Sequence, residues 1–233
     1  GSAMTAARRR ALELKKSGKY GEAESVLASA HYSRCGTLRA RGKFWLPFVA
    51  WHFWRARAHT RKLIRGDSSA LSPDQLDVAG TILRRPPFPD IITAARCFRA
   101  GIEKAHRALH LSDKGFVREQ TVKPHTLALL HIGLGECLNQ GDTPSREFFA
   151  PHEFGEAKLL LGRIKREETD IHGKRQLVRV LKRLGAYYTE GMPVTGIMDR
   201  EAYMYEGVKF LLRAKALAKE VSPDQLAKIK ATG

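Results

Sequence analysis

The chain has 233 residues, 43% hydrophobic and 28% charged, which supports a sizeable core and excludes an intrinsically disordered polymer. Its 41 Lys and Arg against 24 Asp and Glu leave a net charge of +17, crowded towards the front: residues 1–110 carry 21 basic and 8 acidic side chains, residues 111–233 carry 20 and 16. Such a field selects anionic partners, whether nucleic acid, an acidic protein segment or an anionic lipid surface, but specifies neither fold nor sequence preference.

Cys35, Cys97 and Cys137 are widely spaced and odd in number, with no CxxC, which argues against a disulfide framework or a cysteine zinc site and fits a reducing cytoplasm. Gly1 to Ala3 read as an addition ahead of a native Met4, and GSAMTAARRR has no apolar segment behind its arginines, so it is not a secretory signal. The longest apolar run, Phe44 to Trp54, is about half of the ~20 residues that span a bilayer.

Helical periodicity runs almost throughout and alternating β-branched runs are missing, which predicts an all-α protein of about ten helices. A first helix is expected from about Thr5 to Ser17 and a second from Tyr20 or Gly21 to about Tyr32, with Ala23, Val26, Leu27 and Ala30 on one face. A glycine-containing loop, Ser33 to Lys43, then leads into a long helix from Phe44 to Arg65. That helix has Pro47 in its first turn and Gly66 as its stop, with Lys62 and Arg65 facing the negative end of its dipole.

Ser72-Pro73-Asp74-Gln75-Leu76 restarts a helix with a serine cap, a proline at its first position and a glutamine three residues after the cap. The same five residues recur from Ser222 to Leu226, a coincidence that shared capping chemistry explains. The RRPPFP run, Arg84 to Pro89, breaks the chain rigidly and is the expected seam (84–90) in what otherwise reads as one helical array over 1–233. Asp90 opens a helix to about Leu111 with the stripe Ile91, Ala95, Phe98, Ile102, Ala105 and Leu109. Further helices are expected over Pro124 to Asn139, His152 to Glu168, Lys174 to Thr189, Arg200 to Val221 and after Ser222. Between the first two of these lies a loop, or a short helix capped by Thr143 with Pro144. Short connections between so many helices describe an array rather than a closed bundle.

Gly18-Lys19-Tyr20-Gly21-Glu22-Ala23, with Leu27 and Ala30 beyond it and Ala11 and Leu14 before it, resembles the tetratricopeptide repeat (TPR). Gly18 takes the place of the family's turn and Tyr20 that of the aromatic opening the second helix. Over 124–221 the offsets return in weaker form. One set is Leu134 and Gly141 with Phe154, Ala157, Leu161 and Ile164; the other is Leu184, Gly185 and Tyr188 with Gly207, Leu211 and Ala214. The resemblance covers about half the chain, 5–32 best, and omits Ser33 to Leu111. It implies antiparallel helix hairpins stacked as an α-solenoid, and a scaffold that holds a peptide or partner helix without catalysis.

The residues that could carry a function concentrate where the resemblance stops. Ser25 to Gly66 contains no acid, while Arg34, Arg39, Arg41, Lys43, Arg55, Arg57, Arg61, Lys62 and Arg65 supply nine cations suited to carboxylates or phosphates. Trp45, Trp51 and Trp54 beside them read as core, because the run Phe44 to Trp54 is apolar nearly all round. The same pattern disfavours a membrane-surface helix. Glu103, His106 and His110 share one helix face, but a di-iron site needs a second Glu-x-x-His that the chain lacks, so no metal or cofactor is expected. The nucleophile elbow, the phosphate-binding P-loop and the His-Glu-x-x-His zinc motif are all missing. The expectation is a cytoplasmic adaptor for an acidic protein or peptide, with RNA or DNA as the alternative ligand of the same cations.

Overall fold

A computed structural model describes residues 2–42, 46–66, 71–86, 89–113, 123–164, 171–193 and 197–221. The described residues are all-α, with no strand among them. The helices are α1 (Ser2–Lys16), α2 (Tyr20–Arg39), α3 (Leu46–Arg65), α4 (Pro73–Arg84), α5 (Ile91–Asp113), α6 (Pro124–Leu138), α7 (Ala150–Leu161), α8 (Ile171–Ala186) and α9 (Ile197–Glu220). Two π-helical turns join them, Ser145–Phe149 before α7 and Tyr187–Gly191 after α8. The chain divides into two compact units, 1–97 and 98–233, and the division falls inside α5.

In the first unit, α1 ends in a glycine motif whose chemistry is local. Gly18 adopts φ +77°, and the N–H groups of Gly18 and Lys19 donate to the carbonyls of Lys15 (3.1 Å) and Leu14 (2.8 Å), closing the helix end. α2 then returns along α1, packing Ala23, Val26 and Leu27 on Ala11 and Leu14. Tyr20, 64% exposed, does not join that core.

α2 runs to Arg39, seven residues beyond its expected end, so most of the expected loop 33–43 is helix. Gly36 suggested a break, but Ala28, His31, Cys35 and Leu38 are spaced 3, 4 and 3 apart, and all four are buried. Tertiary burial of that stripe outweighs the cost of one helical glycine, about 1 kcal/mol. α4 opens as expected: the Ser72 hydroxyl accepts from the Gln75 N–H (3.2 Å) while the Gln75 side chain accepts from the Ser72 N–H (2.8 Å).

In the second unit α6 is apolar all round and is buried on nearly every side, as such a helix must be. Its one acid, Glu136, meets Arg183 of α8 in a two-pronged pair at 2.6 and 3.0 Å. α7 returns antiparallel to α6, and α9 to α8, while α6 and α8 run side by side in the same direction, as the pairings Glu136–Arg183 and Asn139–Gly191 show. The helix leading to α7 is capped by the Asp142 carboxylate, which accepts from the Ser145 N–H (3.1 Å), and not by the expected Thr143. The expected short helix after Ser222, the second copy of the capping sequence and residues 165–170 lie outside the described residues.

α8 and α9 touch backbone to backbone. A Cβ on Gly207 would lie 2.9 Å from both the Gly185 carbonyl and the Thr189 N–H nitrogen, so only glycine permits this approach. Gly207→Ala is therefore expected to cost about 1–3 kcal/mol by forcing the helices apart. Gly155→Ala in α7, where a Cβ meets nothing within 4 Å, should stabilise by about 0.4–1 kcal/mol. Urea unfolding followed by circular dichroism separates the two.

Candidate partner-binding groove and its histidine core

The site is built on the antiparallel pair α2/α3, whose register is set by three cross-contacts. Cys35 Sγ donates to the Val49 carbonyl (3.5 Å), His31 Nδ1 meets His52 Nδ1 (2.8 Å), and His59 Nδ1 meets the Glu24 carboxylate (2.5 Å). On α3 the buried stripe is Val49, Ala56, His59, Thr60 and Leu63. At 100° per residue, Trp51 and Trp54 point roughly away from that stripe. They are 46% and 62% exposed, which corrects the expectation that the tryptophans are core; Trp45 lies outside the described residues. α2 presents small and polar groups to α3, so the close contact uses alanine and histidine and leaves the large rings outside.

Beside this contact lies a groove of about 650 Å³, floored by Tyr32, Cys35, Val49, Ala50 and Phe53, with Leu46 at one end. Arg39 and Arg85 stand at its rim, the Arg85 guanidinium 5.9 Å above the Tyr32 ring. The exposed Leu46, Phe48, Trp51 and Trp54 continue apolar surface around α3 from the groove. Burial pushes the Cys35 thiol up to about 11, against the opposing pull of Arg39, so the floor is an uncharged surface.

The nine cations do not form one patch. Arg39 lines the groove, and Arg41 is exposed in the turn after α2. Arg34, half-buried, lies with Arg8 and His52 in a separate hollow towards α1. Arg61, Lys62 and Arg65 are exposed on the last turns of α3, some 17–22 Å along the helix from Ala50 at about 1.5 Å per residue. Arg55 covers the Trp51 ring at 5.8 Å, with its Nε buried. Arg57 is the correction: only 7% exposed, with its guanidinium 5.9 Å from the Phe53 ring, it belongs to the interior, and burial, with Arg61 beside it, lowers its pKa. Its place on the helix puts it against neighbouring elements, a fact that sign counting cannot see. Lys43 lies outside the described residues.

Sequence reasoning missed two features. Arg85 lies in the proline run, whose composition signals only a chain break. The histidines His52 and His59 lie seven residues apart on the inner side of α3, and that spacing was the available signal for an array with His31. Burial and the neighbouring His52, His59, Arg55 and Arg8 lower the His31 pKa to about 4. Burial works against the charge on Glu24, but hydrogen bonds and charges from His59 and Lys15 outweigh it and hold the carboxyl below its ordinary value.

Glu103 is exposed and pairs with Arg107 (3.7 Å), His106 lies 6.0 Å edge-on to the ring of His131, and the side chain of His110 is outside the description. Among the described residues no three His, Cys, Asp or Glu side chains are grouped to hold a metal ion, and no helix is long and apolar enough to cross a membrane. Compared with family models, with curated proteins and with solved structures, the chain matches none.

The two kinds of α3 residue should separate cleanly on mutation. Trp54→Ala is expected to change stability by less than about 0.5 kcal/mol, and Arg57→Ala to cost about 1–3 kcal/mol through lost contacts of its buried stem. Urea midpoints of the two variants provide the comparison.

Proposed function

We propose that this protein is a non-catalytic adaptor whose groove between α2 and α3 takes an acidic protein segment bearing a large apolar anchor. The observation that carries this reading is the pairing of an uncharged apolar floor with Arg39 and Arg85 at the rim. An apolar pocket accepts a side chain, and the flanking guanidiniums select carboxylates on either side of it. Exposed tryptophans next to arginine are the residue types that dominate protein interfaces energetically. The scaffold reads as TPR-like: the α1/α2 hairpin closes at Gly18, and α6/α7 and α8/α9 are consecutive antiparallel pairs with α6 beside α8. The exposed Tyr20 departs from that pattern.

One observation favours a second reading, a nucleic-acid surface. Trp51 and Trp54 are exposed and can stack bases, with Arg61, Lys62 and Arg65 further along the same helix for phosphates. Separation of the cations into distinct groups weighs against a continuous backbone track, and the groove has no role in this second reading.

A display library of acidic peptides carrying one or two large apolar residues, titrated beside RNA, single-stranded DNA and duplex DNA at 50 and 200 mM salt, discriminates the two. The adaptor reading expects a peptide that binds at both salts and loses at least about tenfold in affinity to the Arg39→Glu/Arg85→Glu double variant. Nucleic-acid binding that collapses by about 10³-fold or more between those salts, with no peptide recovered, would instead establish the second reading.

A further inference from the structure

The α3 wall of the groove is held on α2 by a histidine array that can take up protons. His31 is 2% exposed, its Nδ1 lies 2.8 Å from that of His52, and its ring stacks on His59 at 5.6 Å between centroids with 21° between planes. His59 meets Glu24, and Glu24 holds Lys15 at 3.0 Å, so the array ties α3 through α2 to α1. Trp51 links it to the surface, its ring edge-on to both His31 (5.6 Å, 67°) and His52 (4.8 Å, 83°).

An Nδ1–Nδ1 contact of 2.8 Å needs one nitrogen to carry a proton and the other to keep its lone pair. A first added proton enters at an Nε2 and leaves the contact intact. A second must occupy the accepting lone pair, which sets N–H against N–H between two cations. We propose that the His31–His52 contact, with the His59 ring stacked on His31, is a proton-operated latch that seats α3, and with it Trp51 and the groove wall, on α2 at neutral pH and releases them in acid. As regulation this rests on the reading of the groove as a partner site; the latch itself is a property of the chain alone.

The surrounding charges act in one sense. His52, His59 and Arg55 of α3 and Arg8 of α1 act on His31, and Arg34 of α2 and Arg8 act on His52. Burial is the larger cause for both, and His31 falls from the ordinary 6.5 to about 4. The unfolded chain thus binds protons near 6.5 that the folded chain refuses until about 4. The contribution of His31 is complete above pH 6.5 and is lost as the pH falls from there towards 4, and the lowered pKa of His52 acts in the same direction. Glu24, held below its ordinary value, also favours the folded state less as acid protonates it.

Amide hydrogen exchange on the full chain tests this without a ligand. Between pH 7.5 and 4.5, after correction for intrinsic exchange, protection of residues 28–38 and 49–60 should fall by at least about tenfold relative to residues 177–184 of α8. Equal change in both regions overturns the latch. In His52→Gln, whose amide can still meet His31 but takes no proton, the relative loss should shrink below about threefold; a loss equal to wild type overturns it. If that variant does not fold, imidazole NMR of the nine histidines in wild type decides: His31 staying neutral to below about pH 5, with His52 titrating below its ordinary value, supports the latch, and all nine titrating near 6.5 sinks it. Should the exchange behave as expected while the acidic peptide library yields no binder at any pH, the adaptor reading fails and the latch stands.

Discussion

The first unit depends on the close antiparallel contact between α2 and α3, made with alanines and imidazoles. Ala28 and Ala56 share one core with Ile82 of α4, and Cys35 and Leu38 share another with Val49. Small residues let the helix axes approach, and the histidines then fill the space between them with groups that are apolar on the faces of the ring and polar at its edge. Each buried imidazole finds a partner in a line from His52 to His31, and from His59 to Glu24 and Lys15. A buried polar line of this kind orders the register of two helices more strictly than an oily seam would, because a shift of one residue leaves its members unpaired.

The position of the groove follows from that contact. With the small side of α3 turned to α2, the helix carries its tryptophans on the outside, and the gap between the C-terminal turns of α2 and the N-terminal turns of α3 stays unfilled. Arg85 reaches this gap from the end of α4, so a residue from a proline-rich connection completes a rim that α2 begins with Arg39. The charge of the groove therefore arises from two elements far apart in sequence, while several of the cations adjacent in sequence face elsewhere.

In the second unit the limiting constraint is different in kind. Gly185 and Gly207 bring the α8 and α9 backbones together, and the π-helical turn Tyr187–Gly191 follows directly, with Tyr187 stacked on Phe154 at 3.5 Å between ring centroids. The wider turn lets the chain leave α8 with both tyrosines, Tyr187 and Tyr188, buried on the inner side. α6 needs no such device: apolar on all sides, it can only lie inside.

Helix class, most helix starts and several helix ends were legible in the sequence because they rest on local chemistry. The Ser72 capping box, Gly18 beyond α1, Gly66 beyond α3 and Asp90 before α5 each act within four residues of where they stand. The length of α2, the outward turn of Trp51 and Trp54, the burial of Arg57 and the assembly of His31, His52 and His59 were not legible, since each is decided by which face of a helix meets another helix. Periodicity reveals that a face exists, but when aromatic, aliphatic and small residues surround a helix it does not say which is chosen. By itself, then, the amino-acid order determined an all-α chain with a strongly basic front half. Only tertiary structure decided which cations are on the surface and that histidines rather than tryptophans form the seam, because close helix contact rewards small side chains and excludes large ones.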